Sequence, residues 1–314
     1  MDTITTLKGS LMEGFHPKGW DLEKIQECCR HDADEATERQ PFWNDGFQPV
    51  PCDTVATFNV KMGHEMARQI AQARHEGREL AMILPVGPTG MYAWVVYFLR
   101  EWNIPCDHLH CFNMDEWSDA QGNTLPEEQP GSFKRTMQRV FYEPLGALTV
   151  PQAQRNFATR DNLPLYPEKI AALKKRGVRL VTVYGIGRDF HIAFCEPHFA
   201  QEFDSDESWK KAPYWLGAKL HPLSIEQNAI SSFRGSFTDV PCFANTIGPG
   251  LFLQSDYAIG GLDRALERGV SLHTPALWVT LRYGPTRWVP SSYMPTMPGR
   301  LFYVRALAEA MPRA

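Results

Sequence analysis

Apolar residues recur along the chain in two patterns, one typical of helices and one typical of buried strands. Between residues 60 and 76, Met62, Met66 and Ile70 follow a period close to 3.6, which predicts a helix. Residues 79–85 form a short apolar run bounded by turn residues, which is typical of a strand buried on both faces.

The two patterns then alternate to the end of the chain. Further helices are predicted at 91–102, 131–141, 167–177, 261–269 and 301–310, and further strands at 108–114, 178–184 and 276–281. Strands that alternate with helices predict an α/β fold, with a mainly parallel, doubly wound sheet and helices on both faces. Functional groups are then expected just beyond the carboxyl ends of the strands.

The first residues do not fit this alternation. Residues 21–38 are charged and compatible with a helix, and residues 40–46 read as a loop. We therefore expect residues 1–54 to form an N-terminal extension that packs on a main domain of residues 55–314. Residues 197–231 are polar with weak periodicity, which is typical either of a lid or of a surface insertion.

Charge and composition narrow the class of partner. The chain has 314 residues, with 32 Lys and Arg against 36 Asp and Glu, a net charge of −4. A strongly basic nucleic-acid footprint is therefore excluded. The longest apolar run, residues 91–99, is too short to span a membrane, and residues 1–13 lack the pattern of a secretory signal. We expect a cytoplasmic protein that binds neither nucleic acid nor membranes and that can form a homo-oligomer.

The seven cysteines do not predict a metal site. None forms a CxxC pair with metal-site spacing, and their number is odd, which is typical of reduced thiols in a cytosolic protein. No convincing set of metal ligands is found elsewhere in the sequence, so no metal is expected.

Three strand ends carry residues with chemical potential. The first is residues 84–90, LPVGPTG, where a buried strand enters a glycine-containing turn and then a helix. Backbone N–H groups at a helix N-terminus, together with the hydroxyl of Thr89, could cradle a phosphate group. The same residues also read as an ordinary tight turn.

The second strand end is residues 112–117, FNMDEW. Asp115 and Glu116 follow directly on a mostly apolar strand. They could cap the next helix, or Asp115 could lie in a cleft as a general base.

The third is residues 184–197, YGIGRDFHIAFCEP. A glycine turn is followed by Asp189, His191 and Glu196 within eight residues. A carboxylate can orient a histidine ring and set its charge near neutral pH.

Together these segments resemble the glucosamine-6-phosphate deaminase/isomerase family. The first resembles the family's phosphate loop LPTGGTP, the second is its FNMDE signature unchanged, and the third resembles its GxGxDGHIAFNEP signature. Residues 246–250, TIGPG, resemble its TVGVG, and residues 261–266 lie where the family has a phosphate-contacting lysine. The resemblance runs in order over roughly residues 55 to 310.

The resemblance implies a role for each matching residue. Asp115 would move a proton between C2 and C1 of an open-chain sugar phosphate, and His191, oriented by Asp189 and Glu196, would carry the ring-opening proton transfer. No cofactor is required. The implied substrate- and phosphate-binding residues are Gly87, Thr89, Gly90, Glu116, Gly185, Gly187, Arg188, Arg234 and Arg264.

Several recognition positions depart from the family pattern. Pro88 replaces a glycine and has no N–H to donate, Arg188 replaces an asparagine, and Phe190 replaces the glycine before His191. We expect guanidinium groups of Arg188, Arg234 and Arg264 to take over part of the anion binding. Phe190 either narrows the pocket or points into the core.

The sequence therefore predicts an aldose–ketose isomerase, also a deaminase, that acts on an amino-sugar phosphate or a related acidic sugar. Two alternatives stay open. One is a hydrolase similar to 6-phosphogluconolactonase, and the other is a sugar-phosphate-sensing domain without catalysis. Retention of Asp115, Asp189, His191 and Glu196 favours the enzyme, because a sensor does not need all four.

Overall fold

The computed structural model describes residues 4–263 and 271–309, and its main feature is a seven-stranded parallel sheet. The strands are β1 (Phe47–Cys52), β2 (Leu80–Leu84), β3 (Leu109–Asn113), β4 (Asp115–Ser118), β5 (Arg155–Asn156), β6 (Arg179–Gly185), β7 (Tyr214–Lys219), β8 (Phe243–Ile247), β9 (Tyr257–Leu262) and β10 (Gly299–Val304). In the main sheet the order is β1-β10-β9-β6-β2-β3-β5, and in a second, three-stranded sheet it is β4-β8-β7.

The helices pack around these sheets. They are α1 (Leu22–Cys28), α2 (Val55–His75), α3 (Met91–Glu101), α4 (Phe133–Met137), α5 (Tyr166–Lys175), α6 (Asp206–Trp209), α7 (Pro222–Ser231), α8 (Pro249–Phe252), α9 (Thr274–Arg282) and α10 (Ala306–Glu309). Within the described ranges, no helix has both the length and the apolar character that crossing a membrane requires.

The centre of the main sheet confirms the predicted α/β class. All five residues of β2 are buried, and β2 pairs in parallel with β3 on one side and β6 on the other. Because these strands are covered on both faces, their sequences are continuous apolar runs rather than alternating ones. The carboxyl ends of β2, β3 and β6 therefore lie side by side, and each carries one of the three motifs.

Residues 47–52 form strand β1 of the main sheet, although they were predicted to belong to the N-terminal extension. They include Pro49 and Pro51, which lie opposite Leu301 and Tyr303 of β10. Prolines two residues apart present the same side of a strand, and an edge strand can turn that side away from its only neighbour. Because proline is rare in strands, the sequence did not predict β1, and the position of β1 at the edge of the sheet is what permits the two prolines.

Three predicted elements near the C-terminus differ from the structure. Residues 276–281 were predicted as a strand but lie in α9, and most of the span predicted as a helix at 301–310 is strand β10 followed by the short α10. Residues 276–281 and 301–304 are buried throughout, so neither run shows the one-sided pattern that separates helix from strand. In the predicted helix at 261–269, the first two residues belong to β9 and the rest, after Asp263, lie outside the described residues.

Residues 197–231, predicted as a lid or a surface insertion, carry regular structure that supports the site. They contain α6, β7 and α7, and β7 joins the antiparallel sheet with β8 and β4. This second sheet, which was not predicted from the sequence, places α7 over the carboxyl edge of the main sheet.

The N-terminal segment packs on the main body. The indole N–H of Trp20 donates to the carbonyl of Trp288 at 2.8 Å, and that of Trp43 donates to the carbonyl of Leu281 at 3.0 Å. Gly19 lies so close to the ring of Trp288 that a Cβ atom would be 2.0 Å from it. These contacts hold residues 19–20 and 43 against α9 and the loop that follows it.

Candidate active site

A cleft with about 770 Å³ of empty space, part of it open to solvent, lies at the carboxyl edge of the main sheet. Its walls are the loop from β2 to α3, the junction of β3 and β4, the loop after β6, and the helix α7. Asp263 and His273, on either side of residues 264–270, complete the lining. The lining residues that matter below are Gly87, Thr89, Met114, Asp115, Phe133, Gly185, Gly187, His191, Gln227, Asn228, Ser231, Asp263 and His273.

Asp115 lies where the two sheets meet. Strand β3 ends at Asn113, and Asp115 is the first residue of β4, paired with Thr246 of β8. Met114, between them, donates its N–H to the carbonyl of Leu84 at 3.0 Å and accepts from the N–H of Ile247 at 2.9 Å. The backbone around Asp115 is therefore held from both sheets, which fixes the direction of its side chain into the cleft.

The environment of Asp115 favours its neutral form in the empty site. The residue is 8% exposed, and burial, with a further contribution from the charge of Glu116, raises the pKa of Asp115 from 3.8 to about 8. His191 acts in the opposite direction, because its positive charge stabilises the carboxylate. A pKa near the working pH is what a general base needs.

His191 is backed by two buried carboxyl groups. Its Nδ1 lies 2.7 Å from Oδ1 of Asp189 and 3.6 Å from Oε1 of Glu196, and both acidic residues are fully buried. Because Nδ1 is engaged behind the ring, the opposite edge of the imidazole, with Nε2, is the one that can face a ligand. The predicted grouping of Asp189, His191 and Glu196 is thus present in the structure.

The three groups set one another's charge. Burial would lower the pKa of His191, but the charges of Asp189 and Glu196 outweigh it and raise that pKa well above its ordinary value. Burial would raise the pKa of Asp189, but the charge of His191 holds it far below its usual range. Burial and the neighbouring charge of Asp189 raise the pKa of Glu196 well above its usual value. The ionised form is thus favoured at Asp189 and the neutral form at Glu196.

Two glycines give the His191 ring its place. A Cβ atom on Gly187 would lie 2.1 Å from Nε2 of His191, and one on Gly185 would lie 3.0 Å from the carbonyl oxygen of Gly87. Only glycine at 187 leaves room for the ring, and Gly185 allows the loops after β6 and β2 to approach closely. Both glycines line the cleft.

Asp189, His191 and Glu196 also form the one group in the described part of the chain that could supply three metal-ligand atoms, which lie within 4.8 Å of one another. The hydroxyl of Ser224 already lies among them, 3.2 Å from Oδ2 of Asp189, 3.0 Å from Nδ1 of His191 and 3.1 Å from Oε2 of Glu196. A hydroxyl in that position takes the space an ion would need. The arrangement fits a hydrogen-bonded proton network better than a metal centre.

The predicted binding residues divide into three groups. Gly87, Thr89, Gly185 and Gly187 line the cleft. Gly90 lies one step behind it, at the start of α3, where a Cβ atom would meet the side chain of Asn59 at 2.6 Å. The remaining four are Glu116, Arg188, Arg234 and Arg264.

Glu116 supports the cleft wall instead of lining the cleft. Its carboxylate accepts backbone N–H groups from Trp117 at 2.9 Å, Phe133 at 3.0 Å and Lys134 at 2.7 Å. It thereby caps the N-terminus of α4 and holds Phe133 in place. The adjacent carboxylates of the FNMDE segment thus separate into one that faces the cleft and one that caps a helix.

The arginines differ from the expectation. Arg188 forms an ion pair with Glu226 on α7, and its N–H donates to Oε1 of Gln227 at 2.6 Å. Arg234 is exposed, and neither arginine is among the residues that line the cleft. Arg264 lies outside the described residues. The prediction that Arg188 and Arg234 bind the substrate anion is therefore not supported by their positions, because α7 offers Arg188 a closer partner.

Phe190 points away from the cleft. It is 3% exposed, and its ring centroid lies 4.8 Å from that of Trp20 in the N-terminal segment. Its φ of +74° is in the left-handed region, which explains why glycine suits this position elsewhere. Of the two orientations left open, the structure has the one in the core. The N-terminal segment provides the partner for this ring.

Sequence reasoning missed the contribution of α7. Ser224, Gln227, Asn228 and Ser231 are spaced i, i+3, i+4 and i+7, so they share one face of the helix, and the last three line the cleft. That polar stripe was a usable signal in a segment read as weakly periodic. Asp263 and His273 also line the cleft, and no sequence pattern singled out their side chains.

Comparison with known proteins agrees with this geometry. A glucosamine-6-phosphate deaminase of Caenorhabditis elegans is 27% identical over 234 residues, which are 70% of this chain and 79% of the relative. The corresponding enzyme of Erwinia tasmaniensis is 29% identical over 211 residues, 64% of this chain and 72% of the relative.

This chain is similar to the glucosamine-6-phosphate deaminases. The resemblance stated from the motifs is thereby confirmed. A further deaminase, from Haemophilus influenzae, is 27% identical over 57% of this chain and 61% of its own length. No model of a known protein family matches the chain.

Solved structures confirm the fold. A monomeric glucosamine-6-phosphate deaminase of the NagB superfamily superposes with a TM-score of 0.65 at 18% identity, over 84% of this chain and 99% of its own. A 6-phosphogluconolactonase from Plasmodium vivax superposes with a TM-score of 0.54 at 17% identity, over 87% and 95%. A glucosamine-6-phosphate deaminase and a 6-phosphogluconolactonase thus share this architecture.

Proposed function

We propose that the chain is a sugar-phosphate isomerase and deaminase that opens the ring of an amino-sugar phosphate, moves a proton from C2 to C1 and releases ammonia. The observation that carries the proposal is that Asp115 and His191 line one cleft while Asp189 and Glu196 back the histidine. Relatives with 27–29% identity, all glucosamine-6-phosphate deaminases, support the same reaction.

His191 suits the ring-opening step. Opening a pyranose requires removal of the proton from the anomeric hydroxyl and delivery of a proton to the ring oxygen. An imidazole whose Nδ1 is engaged by carboxyl groups can exchange a proton at Nε2 with either oxygen. The buried carboxyl groups behind His191 hold the ring in one orientation during that exchange.

Asp115 suits the transfer from C2 to C1. Its carboxylate takes the proton from C2, the C2–H electrons form the C1=C2 bond of an enolamine, and the carbonyl oxygen at C1 takes up a proton. The carboxylate then returns its proton to C1 while the nitrogen loses one. The product is an imine at C2, and addition of water there releases ammonia and leaves a ketose phosphate. A single base in the cleft can serve both carbons, because C1 and C2 are neighbours.

The charge state of Asp115 favours a substrate with an amine. With a pKa of about 8, the carboxyl is largely neutral at pH 7 in the empty site. A protonated amine at C2, bound beside Asp115, lowers that pKa and returns the carboxylate to its basic form. A sugar phosphate without an amine provides no such positive charge, so it leaves Asp115 less active.

The rest of the cleft suits a polar, anionic ligand. The loop from β2 to α3 places Gly87 and Thr89 at the N-terminus of an 11-residue helix, where first-turn N–H groups lack partners within the helix. Across the cleft, Gln227, Asn228 and Ser231 offer amide and hydroxyl groups to sugar hydroxyls. The anion and the sugar are thus recognised by different walls.

The test is a substrate panel of amino-sugar phosphates, plain aldose phosphates and 6-phosphogluconolactone. Ammonia release, ketose formation and lactone hydrolysis are measured separately for the wild type and for Asp115→Asn. Stoichiometric ammonia and ketose from an amino-sugar phosphate, lost in the variant, are expected. Hydrolysis of the lactone without ketose formation would instead favour a lactonase, and turnover by Asp115→Asn at the wild-type rate would remove Asp115 from the mechanism.

A further inference from the structure

Ser224 is the only residue of α7 whose side chain contacts all three residues of the cluster behind the cleft, namely Asp189, His191 and Glu196. It is fully buried, and it does not line the cleft itself. Its hydroxyl lies within 3.2 Å of Asp189, His191 and Glu196. Neither the family motifs nor the comparisons assign it a role.

The number of protons in this cluster is constrained. A serine hydroxyl has one hydrogen to donate and can accept from two neighbours, whereas an ionised carboxylate can only accept. With three neighbours around one hydroxyl, at least one of them must donate to it. If both carboxyl groups were ionised, Ser224 could satisfy only one of them, and the other would stay buried and charged without that hydrogen bond.

One distribution of protons gives each of the three side chains around Ser224 a hydrogen bond. Burial and the charge of Asp189 raise the pKa of Glu196 well above its usual value, which favours a proton on Glu196. With that proton on Oε2, Glu196 donates to the hydroxyl oxygen of Ser224, 3.1 Å away, and the hydroxyl donates in turn to Oδ2 of Asp189 at 3.2 Å. The Nδ1–H of His191 is then free to interact with Oδ1 of Asp189, 2.7 Å away. In this arrangement a chain of hydrogen bonds runs from Glu196 through the hydroxyl of Ser224 to Asp189.

We propose that Ser224 is a positioning residue that links Glu196 to Asp189 and thereby keeps the proton of His191 on Nδ1. The Nε2 edge of the ring, which lies against Gly187 in the cleft wall, is then the one that exchanges protons with the substrate. This inference deepens the proposed function and rests on it for its kinetic part, but the protonation of His191 can be measured without any substrate.

The other groups that face the cluster do not replace Ser224. His221, the N-cap of α7, donates from Nε2 to the carbonyl of Phe15 and accepts the N–H of Leu223 through Nδ1, so both of its ring nitrogens are engaged. His198 lies behind His221, with ring centroids 6.0 Å apart, and burial lowers the pKa of His198. The charge on the cluster is therefore set mainly by its own members.

The kinetic test compares Ser224→Ala, Ser224→Thr and the control Ser255→Ala. Ser255 is also buried and shares a hydrogen bond, 2.6 Å long, with Thr182 in the main sheet, outside the cleft lining. For Ser224→Ala we expect kcat to fall about tenfold to hundredfold with little change in KM, which is the scale for losing one hydrogen bond to a charged group. Ser224→Thr keeps the hydroxyl and should retain most of the activity, and Ser255→Ala should match the wild type.

The spectroscopic test uses protein labelled with 15N in histidine. In the wild type without substrate, we expect the Nδ1 atom of His191 to remain protonated from pH 6 to pH 9 and the Nε2 atom to be the one that titrates. In Ser224→Ala the titration midpoint of His191 should shift, while in Ser255→Ala it should not.

Three results would overturn the inference: an Nδ1 atom that loses its proton in the wild type, a His191 titration that is unchanged in Ser224→Ala, or a kcat of Ser224→Ala equal to that of Ser255→Ala. If Ser224→Ala does not fold, the wild-type spectrum and Ser224→Thr still decide the question. If the wild type turns over no substrate in the panel, the proposed function fails while the His191 spectrum still tests the role of Ser224.

Discussion

Replacement of Asp115 by asparagine should stabilise the protein while it destroys the activity. The native carboxyl has a pKa of about 8 because it is buried, whereas the unfolded chain has the ordinary value of 3.8. Between these two values the native state holds a proton that the unfolded state has lost. The free energy of unfolding therefore falls as the pH rises from 4 to 8, and the cost of the carboxyl is fully present above pH 8.

The magnitude follows from the two pKa values. At about 1.4 kcal/mol for each tenfold change, the buried carboxyl costs at most roughly 6 kcal/mol above pH 8, and relaxation around it reduces this to about 3–6 kcal/mol. Asparagine has nearly the same shape and no charge to lose. We expect Asp115→Asn to match the wild type in stability near pH 4 and to exceed it increasingly up to pH 9.

The assay is urea unfolding followed by tryptophan fluorescence at pH 5, 7 and 9, with Asp161→Asn as the control. Asp161 is exposed, so its replacement should change the unfolding free energy equally little at all three pH values. In parallel, kcat/KM of the wild type should rise with pH towards about 8, and Asp115→Asn should lose roughly 10²–10⁴-fold in rate. A difference in stability between wild type and Asp115→Asn that stays constant from pH 5 to pH 9 would refute the assignment of Asp115 as a buried, neutral acid.

Two further variants test how the loop after β6 is built. Gly187→Ala places a Cβ atom 2.1 Å from Nε2 of His191, so the ring must move. We expect kcat to fall about 10²-fold, while circular dichroism shows the fold intact. An unchanged kcat would mean that the ring position is not critical. Phe190→Gly removes a ring packed on Trp20 but relieves a positive φ, so we expect a net loss of about 2–4 kcal/mol in urea unfolding and no gain in kcat/KM for glucosamine 6-phosphate. A gain in kcat/KM would show that Phe190 limits the pocket after all.

The parts of the site that could be predicted are those formed by residues that lie close together in the sequence. Asp115 follows directly on β3, and the segment from Gly185 to Glu196 follows directly on β6, so their meeting at one sheet edge follows from the parallel order of the strands. The same reasoning found β2 and the turn that carries Thr89. In each case a buried strand with a continuous apolar run is followed at once by polar residues.

The direction of a side chain could not be predicted in this way. Asp115 and Glu116 are adjacent and chemically alike, yet one faces the cleft and the other caps α4, because successive residues of a strand point to opposite sides. Which side is the cleft depends on where α4 and β8 pack. Arg188 likewise turned to Glu226 only because α7 comes close to it.

The sequence by itself determined the α/β class, the order of the motifs and the identity of the titrating groups, because these depend on local pattern and on residues that are neighbours in the chain. Tertiary structure alone decided that β1 completes the sheet, that Trp20 draws Phe190 out of the cleft, and that Ser224 reaches the cluster behind His191. Those contacts join residues that are tens to hundreds of positions apart. Their energies come from burial and hydrogen bonding in the folded state, and no local propensity encodes them.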